Sequence, residues 1–364
     1  VEVNYAAAED HAFRRGSMKT TLAITALALG TIGAVPATAQ RGPGLPPPEP
    51  IEHITGNVYK IFGGGGNTLV VVQKDGVVLV DTKMPGNGPA ILAEVKKVTD
   101  KPITTIINTH SHPDHIGSTD FIREKYPNVK VISSETTKEE VAKNPTYKPG
   151  VVPNVTFKDR LTLGKGAERI ELYSFGQAHT GGDTFVFLPA THVLFMGDVM
   201  AWNMAPFLPS GGASLLPTVQ EKLIATVKGV KLVVEGHGYV DTWNDLVRIT
   251  HFNRDLVTYA KAAYDRGDPP AAAVAELKKK PEYAPLLDTR IKDGLSYGNT
   301  PFARANMNVN VAYAEFAGEP VGFGVANGGP LPATDKHKGS NPADSAPPAP
   351  GTPVAPRPPI PSVK

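Results

Sequence analysis

The stretch Thr109-His110-Ser111-His112-Pro113-Asp114-His115-Ile116-Gly117 gathers three imidazoles and a carboxylate between positions 110 and 115. Just upstream, Ile103-Thr104-Thr105-Ile106-Ile107-Asn108 is β-branched and apolar, the pattern of a buried strand. Downstream, 118–126 reads as a helix, so the cluster falls on a strand-to-helix loop, where scaffolds commonly carry function. In an extended chain residues two apart point to the same side, which lets His110 and His112 share one metal ion. Pro113 forces a turn, and Asp114 and His115 then point elsewhere, towards a second ion close by. Imidazole nitrogen and carboxylate oxygen are donors that zinc accepts. A polar loop with hydrogen-bonded histidines is the plainer reading, and the density of histidines argues against it.

The same stretch resembles the His-x-His-x-Asp-His signature of the metallo-β-lactamase superfamily of metallo-hydrolases. That resemblance implies further ligands downstream. Gly176-Gln177-Ala178-His179-Thr180-Gly181-Gly182-Asp183 resembles the second ligand motif, where His179 would complete a three-histidine site with His110 and His112. Asp183 reads as a structural acceptor within that loop. Asp198 ends the apolar run 193–196 and its glycine, where a bare carboxylate is expensive unless paired or metal-bound. In the family an aspartate here bridges two metals; a capping role is the alternative. His237, flanked by Gly236 and Gly238 after the run 231–235, matches the last ligand position and would join Asp114 and His115 on the second ion. Asp81, at the end of Val77-Val78-Leu79-Val80, is expected to orient a metal-bound imidazole from behind, or simply to cap the turn at Thr82. His53, His192 and His251 lie outside this pattern and read as surface or packing residues.

Around these motifs the chain alternates elements in an ordered way. Residues 58–62 and 67–73 read as strands joined through Gly63-Gly64-Gly65-Gly66, a mobile turn or a site of close backbone approach. Strand–helix units follow at 77–142, short strands at 154–173, and a strand pair at 184–196. Residues 199–210 form an apolar loop that either faces substrate or packs. Helices are expected at 216–227, 242–266, 270–280 and 302–316. Two sheets with helices outside them fit this order, and the resemblance implies a four-layer αββα sandwich, an α/β (α+β) fold, over about 54–238.

The chain has 364 residues, a formal net charge of +2 and no cysteine. The first figure allows one large domain or two small ones. The second is too balanced for a dedicated nucleic-acid binder. The third excludes disulfides, thiolate ligands and a cysteine nucleophile. Met18-Lys19 followed by an apolar run and Ala37-Thr38-Ala39 reads as a secretory signal peptide over 18–39, cleaved before Gln40, with an anchor helix as the alternative. Residues 1–17 precede this start and read as a non-native or mis-called N-terminus rather than part of the fold. Residues 40–50 are a Pro/Gly-rich linker, 51–326 the hydrolase domain with its C-terminal helices, and 327–364 a Pro/Ala-rich tail expected to be disordered. A periplasmic or secreted location follows from the leader, with no membrane attachment once it is removed.

The expected chemistry is that of a metal-dependent hydrolase holding two zinc ions, with iron or manganese also able to occupy the ligand frame. Two zinc ions lower the pKa of a shared water towards ~7, and the resulting metal-bound hydroxide, oriented by Asp114, attacks a carboxylic ester, lactone, thioester or β-lactam. According to the resemblance, an aspartate at position 198 belongs to lactonase-like and thioesterase-like branches rather than to true β-lactamases, which favours an ester or lactone. The expected partner is therefore a small-molecule substrate rather than a nucleic acid; no oligomeric state is implied. A phosphodiesterase, an iron-dependent oxidoreductase and a non-catalytic metal-binding protein remain as alternatives on the same frame.

Overall fold

A computed structural model describes residues 47–201, 204–287 and 303–322. The expected leader, the residues before it, most of the linker and the tail from 327 lie outside the described residues. No described helix is long and apolar enough to cross a membrane.

The domain opens with an antiparallel run: β1 (Glu52–Thr55), β2 (Val58–Ile61), β3 (Thr68–Val72) and β4 (Val77–Val80). Pairing then turns parallel as helices enter the connections. Helix α1 (Gly88–Lys96) leads to β5 (Ile103–Ile107); α2 (Pro113–Ile116) and α3 (Thr119–Lys125) lead to β6 (Lys130–Ser134); α4 (Glu135–Lys143) leads to β7 (Val155–Phe157). These seven strands form one sheet in sequence order. A six-stranded sheet follows, made of β8 (Arg160–Leu163), β9 (Ile170–Tyr173), β10 (Phe185–Leu188), β11 (Val193–Phe195), β12 (Leu232–Val234) and β13 (Val240–Thr242). Helix α5 (Leu216–Thr226) connects β11 to its parallel partner β12. Helices α6 (Trp243–Asp265), α7 (Pro270–Lys278), α8 (Ala284–Leu287) and α9 (Ala303–Ala317) complete the described chain. A reciprocal capping box between Thr242 and Asp245 starts α6.

Strand periodicity builds the layers. Leu69, Val71, Val78, Val80 and Ile107 of the first sheet meet Leu172, Val186, Leu188, Phe195 and Val234 of the second in one buried cluster. The alternate residues Val70, Leu79, Ile106 and Val131 pack outward against Ile91 and Val95 of α1 and Ile122 of α3. On the far side, Tyr173, Phe185, Phe187 and Leu194 are covered by α5, α6, α7 and α9 through residues such as Leu223, Phe252, Leu277 and Val309. The result is the expected αββα sandwich. Because both faces of the central strands are covered, 77–80 is apolar throughout rather than alternating.

The topology also places the loops that matter. β4 and β5 run parallel, as do β11 and β12, so within each sheet the two strands deliver their following loops to the same end. Cross-sheet bonds join those ends: Thr184 N donates to Thr109 O at 2.8 Å, and Asn67 Nδ2 donates to Glu235 O at 2.9 Å.

Candidate metal centre

Four of the contributing loops follow strands of the parallel pairs β4–β5 and β11–β12. Asp81 follows β4, and 108–115 follow β5; Asp198 follows β11 and His237 follows β12. His179 comes from the connection between β9 and β10. The turn expected at Pro113 is a short helix, α2, with proline at its first position, where a missing N–H costs nothing. Its single turn carries Asp114 and His115.

The structure gathers the expected residues into two groups. His110, His112 and His179 offer donor atoms within 4.8 Å of one another, and so do Asp114, His115 and His237. Asp198 touches both. Its Oδ2 lies 3.6 Å from His179 Nε2 and 3.4 Å from His237 Nε2, while Oδ1 lies 3.1 Å from His115 Nε2. Asp114 Oδ2 stands 3.1 Å from His237 Nε2.

Hydrogen bonds on the outer nitrogens decide which inner nitrogens carry lone pairs. His179 Nδ1 is 2.7 Å from Phe207 O. A carbonyl can only accept, so Nδ1 holds the proton and Nε2 faces the cluster. His115 Nδ1 lies 2.7 Å from Asp81 Oδ2, with the same consequence. Thr109 Oγ1 donates to Asp81 Oδ2 at 2.7 Å, which leaves it to accept from His110 Nδ1 at 2.9 Å. Nε2 of His110 is then buried without a hydrogen-bond partner. An orphaned lone pair amid imidazoles and carboxylates fits a bound cation.

Asp81 thus reaches two imidazoles, His115 directly and His110 through Thr109. It also grouped by distance with His110 and His115, but its oxygens are already taken by Thr109 and His115. Its φ of 62° is left-handed, an uncommon state for a residue other than glycine.

The electrostatics differ between the halves. Burial holds His110 well below its ordinary pKa, pulls His179 down to about 3 and lowers His112, so all three are neutral imidazoles, the form that binds metal. In the other half, burial is outweighed by carboxylates. Asp198 and Asp114 raise His237 to about 9 and, with Asp81, raise His115 well above its usual value. Burial opposes ionisation of Asp114 and Asp198 too, yet the paired imidazoles hold both well below the carboxylate range. Two ionised, partly buried carboxylates create a field here that a cation satisfies.

Other expectations resolve as follows. Asp183 accepts from the backbone N–H groups of Ala178, His179 and Thr180 at 3.2, 2.8 and 2.8 Å, the structural role read for it. The glycine run is a close approach: a Cβ on Gly66 would lie 2.2 Å from His115 Cε1, and one on Gly65 2.7 Å from Asp114 O. Among the described residues of the apolar loop after Asp198, Val199, Met200, Met204 and Leu208 are packed and buried, while Ser210 is exposed. His53 bonds Gly56 O and His192 bonds Gly229 O, away from the site. Sequence reasoning missed Thr109, the Phe207 carbonyl and the buried Lys83, whose Nζ donates to Ile61 O at 2.7 Å and Gly66 O at 2.8 Å. Thr109 stands beside His110 and could have been found; a carbonyl leaves no residue-type signal.

A family model described as the metallo-beta-lactamase superfamily matches residues 61–237. The chain is 30% identical over 179 residues to a metallo-beta-lactamase type 2 of Bacillus sp. (strain 170), covering 48% of this chain and 67% of that protein. It is 26% identical over 209 residues to metallo-beta-lactamase IND-1 of Chryseobacterium indologenes, covering 54% and 82%. Among solved structures, a metallo-beta-lactamase from Pontibacter korlensis aligns with a TM-score of 0.51 at 23% identity, over 57% of this chain and 99% of the other.

Proposed function

The chain belongs to the metallo-beta-lactamase superfamily and is a metal-dependent hydrolase, and on that footing we propose a dinuclear zinc enzyme that cleaves a small carboxylic ester or lactone. The observation that carries this reading is Asp198, whose carboxylate faces imidazoles of both donor groups. His110, His112 and His179 would hold one ion, Asp114, His115 and His237 the other, and Asp198 both. Iron or manganese would suit the same oxygen and nitrogen donors.

Zinc bound there would supply Lewis acidity, lowering the pKa of a water towards ~7 and polarising a substrate carbonyl. The chain's own residues do the rest. Asp114 is ionised and its side chain is 27% exposed, so it can accept a hydrogen bond from the attacking water and aim it. Asp81, Thr109 and the Phe207 carbonyl hold protons on the outer imidazole nitrogens and fix ring orientation. No protein nucleophile is needed.

What favours ester, lactone or thioester over β-lactam is the family resemblance, in which an aspartate at position 198 belongs to lactonase-like and thioesterase-like branches. The relatives named as β-lactamases keep the β-lactam in view. The test is a hydrolysis panel on the zinc-loaded chain: esters, lactones, thioesters, β-lactams and phosphodiesters. Turnover of esters or lactones that disappears with chelation is expected. Cleavage confined to phosphodiesters, or none at full metal loading, would contradict the proposal.

We also propose export to the periplasm, on the pattern at 18–39. Mass spectrometry of the chain expressed in a two-membrane bacterium should find an N-terminus near Gln40 in the periplasmic fraction; an uncleaved cytosolic chain would refute it.

A further inference from the structure

Helix α9 lies beyond the residues matched by the family model, yet its polar side chains reach the loop that borders the three-histidine group. Arg304, Asn308 and Glu315 recur along one side of the helix at the spacing of its turns. Arg304 Nη1 donates to Ala205 O at 3.4 Å, and Asn308 Nδ2 donates to Pro206 O at 2.9 Å. The Glu315 carboxylate accepts from three successive backbone N–H groups: Gly212, Ala213 at 3.1 Å and Ser214 at 2.8 Å. Gly211 and Gly212, with φ of 90° and 92°, shape the loop into a nest around that carboxylate. Hydrogen bonds to an ionised acceptor are roughly twice as strong as neutral ones. Loop 205–214 is therefore fastened to α9 at both ends.

Between the fastenings the loop meets the site. Phe207 O accepts from His179 Nδ1 at 2.7 Å, and Ser210 Oγ lies 3.3 Å from His112 Nε2. At Gly212 a Cβ would come within 1.9 Å of Ala178 O, so the loop rests directly on the backbone before His179. A shift at the Glu315 end would carry through this short loop to the Phe207 carbonyl. That carbonyl is what keeps the proton on His179 Nδ1 and the lone pair on Nε2.

We infer that Glu315 and Asn308 are positioning residues for the three-histidine half of the centre, acting through loop 205–214 on His179. The inference rests on reading His110, His112 and His179 as metal ligands. It makes α9 part of the working centre rather than an appendage to the sandwich.

The test titrates the metal-free full chain with cobalt(II) alone, following its visible absorption bands, for wild type, Glu315→Ala, Glu315→Gln and Asn308→Ala. Expected is a weakening of one binding step by about tenfold in Glu315→Ala, with altered bands for that step and the other step unmoved. Glu315→Gln keeps one acceptor oxygen and should fall between wild type and alanine. Asn308→Ala should shift the same step in the same direction, and it decides the matter alone if Glu315→Ala does not fold. Folded variants that melt earlier but bind cobalt with wild-type affinity and bands would overturn the inference, leaving α9 a structural strut. A wild-type chain that takes up no cobalt would instead overturn the metal-centre reading beneath it.

Discussion

Asp198 sets its carboxylate against imidazoles from both donor groups, and Gly236 makes room for it: a Cβ there would lie 2.0 Å from Asp198 Oδ1. If this carboxylate bridges two ions, removing it leaves their repulsion unscreened. Asp198→Ala should lower metal content from about two per chain towards one and cut hydrolysis by orders of magnitude, with secondary structure retained. Asp198→Asn keeps the shape and one donor oxygen but loses the negative charge, and should be intermediate. Two metals and near-normal turnover in the alanine variant would reduce Asp198 to a capping residue, worth about 1 kcal/mol. Lys83 poses a separate question of charge. Burial pushes its pKa down to about 7 against the ordinary 10.5, with Asp81 opposing the shift. Between those values the unfolded chain holds a proton that the folded chain has released, so stability from this site rises with pH across that window. Lys83→Met should therefore lose ground to wild type in urea unfolding as pH climbs from 7 to 10. A constant gap between the two midpoints would show that the lysine keeps its charge when folded.

Loops carry the site and strands aim it, which is why part of it was readable in advance. The apolar runs at 77–80 and 103–107 announce buried strands, and the candidate ligands after β5 cluster within six positions, so one window of sequence exposes them. His179, Asp198 and His237 stand alone; spacing does not single them out, and the resemblance to a family ligand order located them. What stayed hidden has no residue-type signature. Phe207 acts through its carbonyl, Lys83 donates to carbonyls of β2 and the glycine loop, and Glu315 arrives from a helix far along the chain. The run Gly63–Gly66 was ambiguous for a related reason, since a glycine needed for space looks like one needed for flexibility. Space is the answer at Gly66. Gly66→Ala should push a methyl into the His115 ring, destabilise the fold by about 1–3 kcal/mol and weaken metal binding at the Asp114, His115 and His237 group. Unchanged stability and metal affinity would mean that the loop yields easily and does not set the position of His115.

On the scale of the whole molecule, two sheets share a buried layer of aliphatic residues and bring their functional loops together, with helices sealing both outer faces. Each half of the centre draws on both sheets: His110 and His112 follow β5 while His179 follows β9, and Asp114 and His115 precede β6 while His237 follows β12. Metal should therefore stabilise the sandwich as a unit, and chelation should lower its unfolding midpoint by an amount that grows with the logarithm of metal affinity. The claim on which the rest depends is a centre of two ions acting together. It is tested most directly by titrating the metal-free chain with zinc while following lactone or ester turnover on the same sample. Expected are about two equivalents bound, with most of the activity appearing as the second is filled. Saturation at one equivalent with full turnover, or two equivalents with turnover of no ester, lactone, thioester or β-lactam, would contradict it.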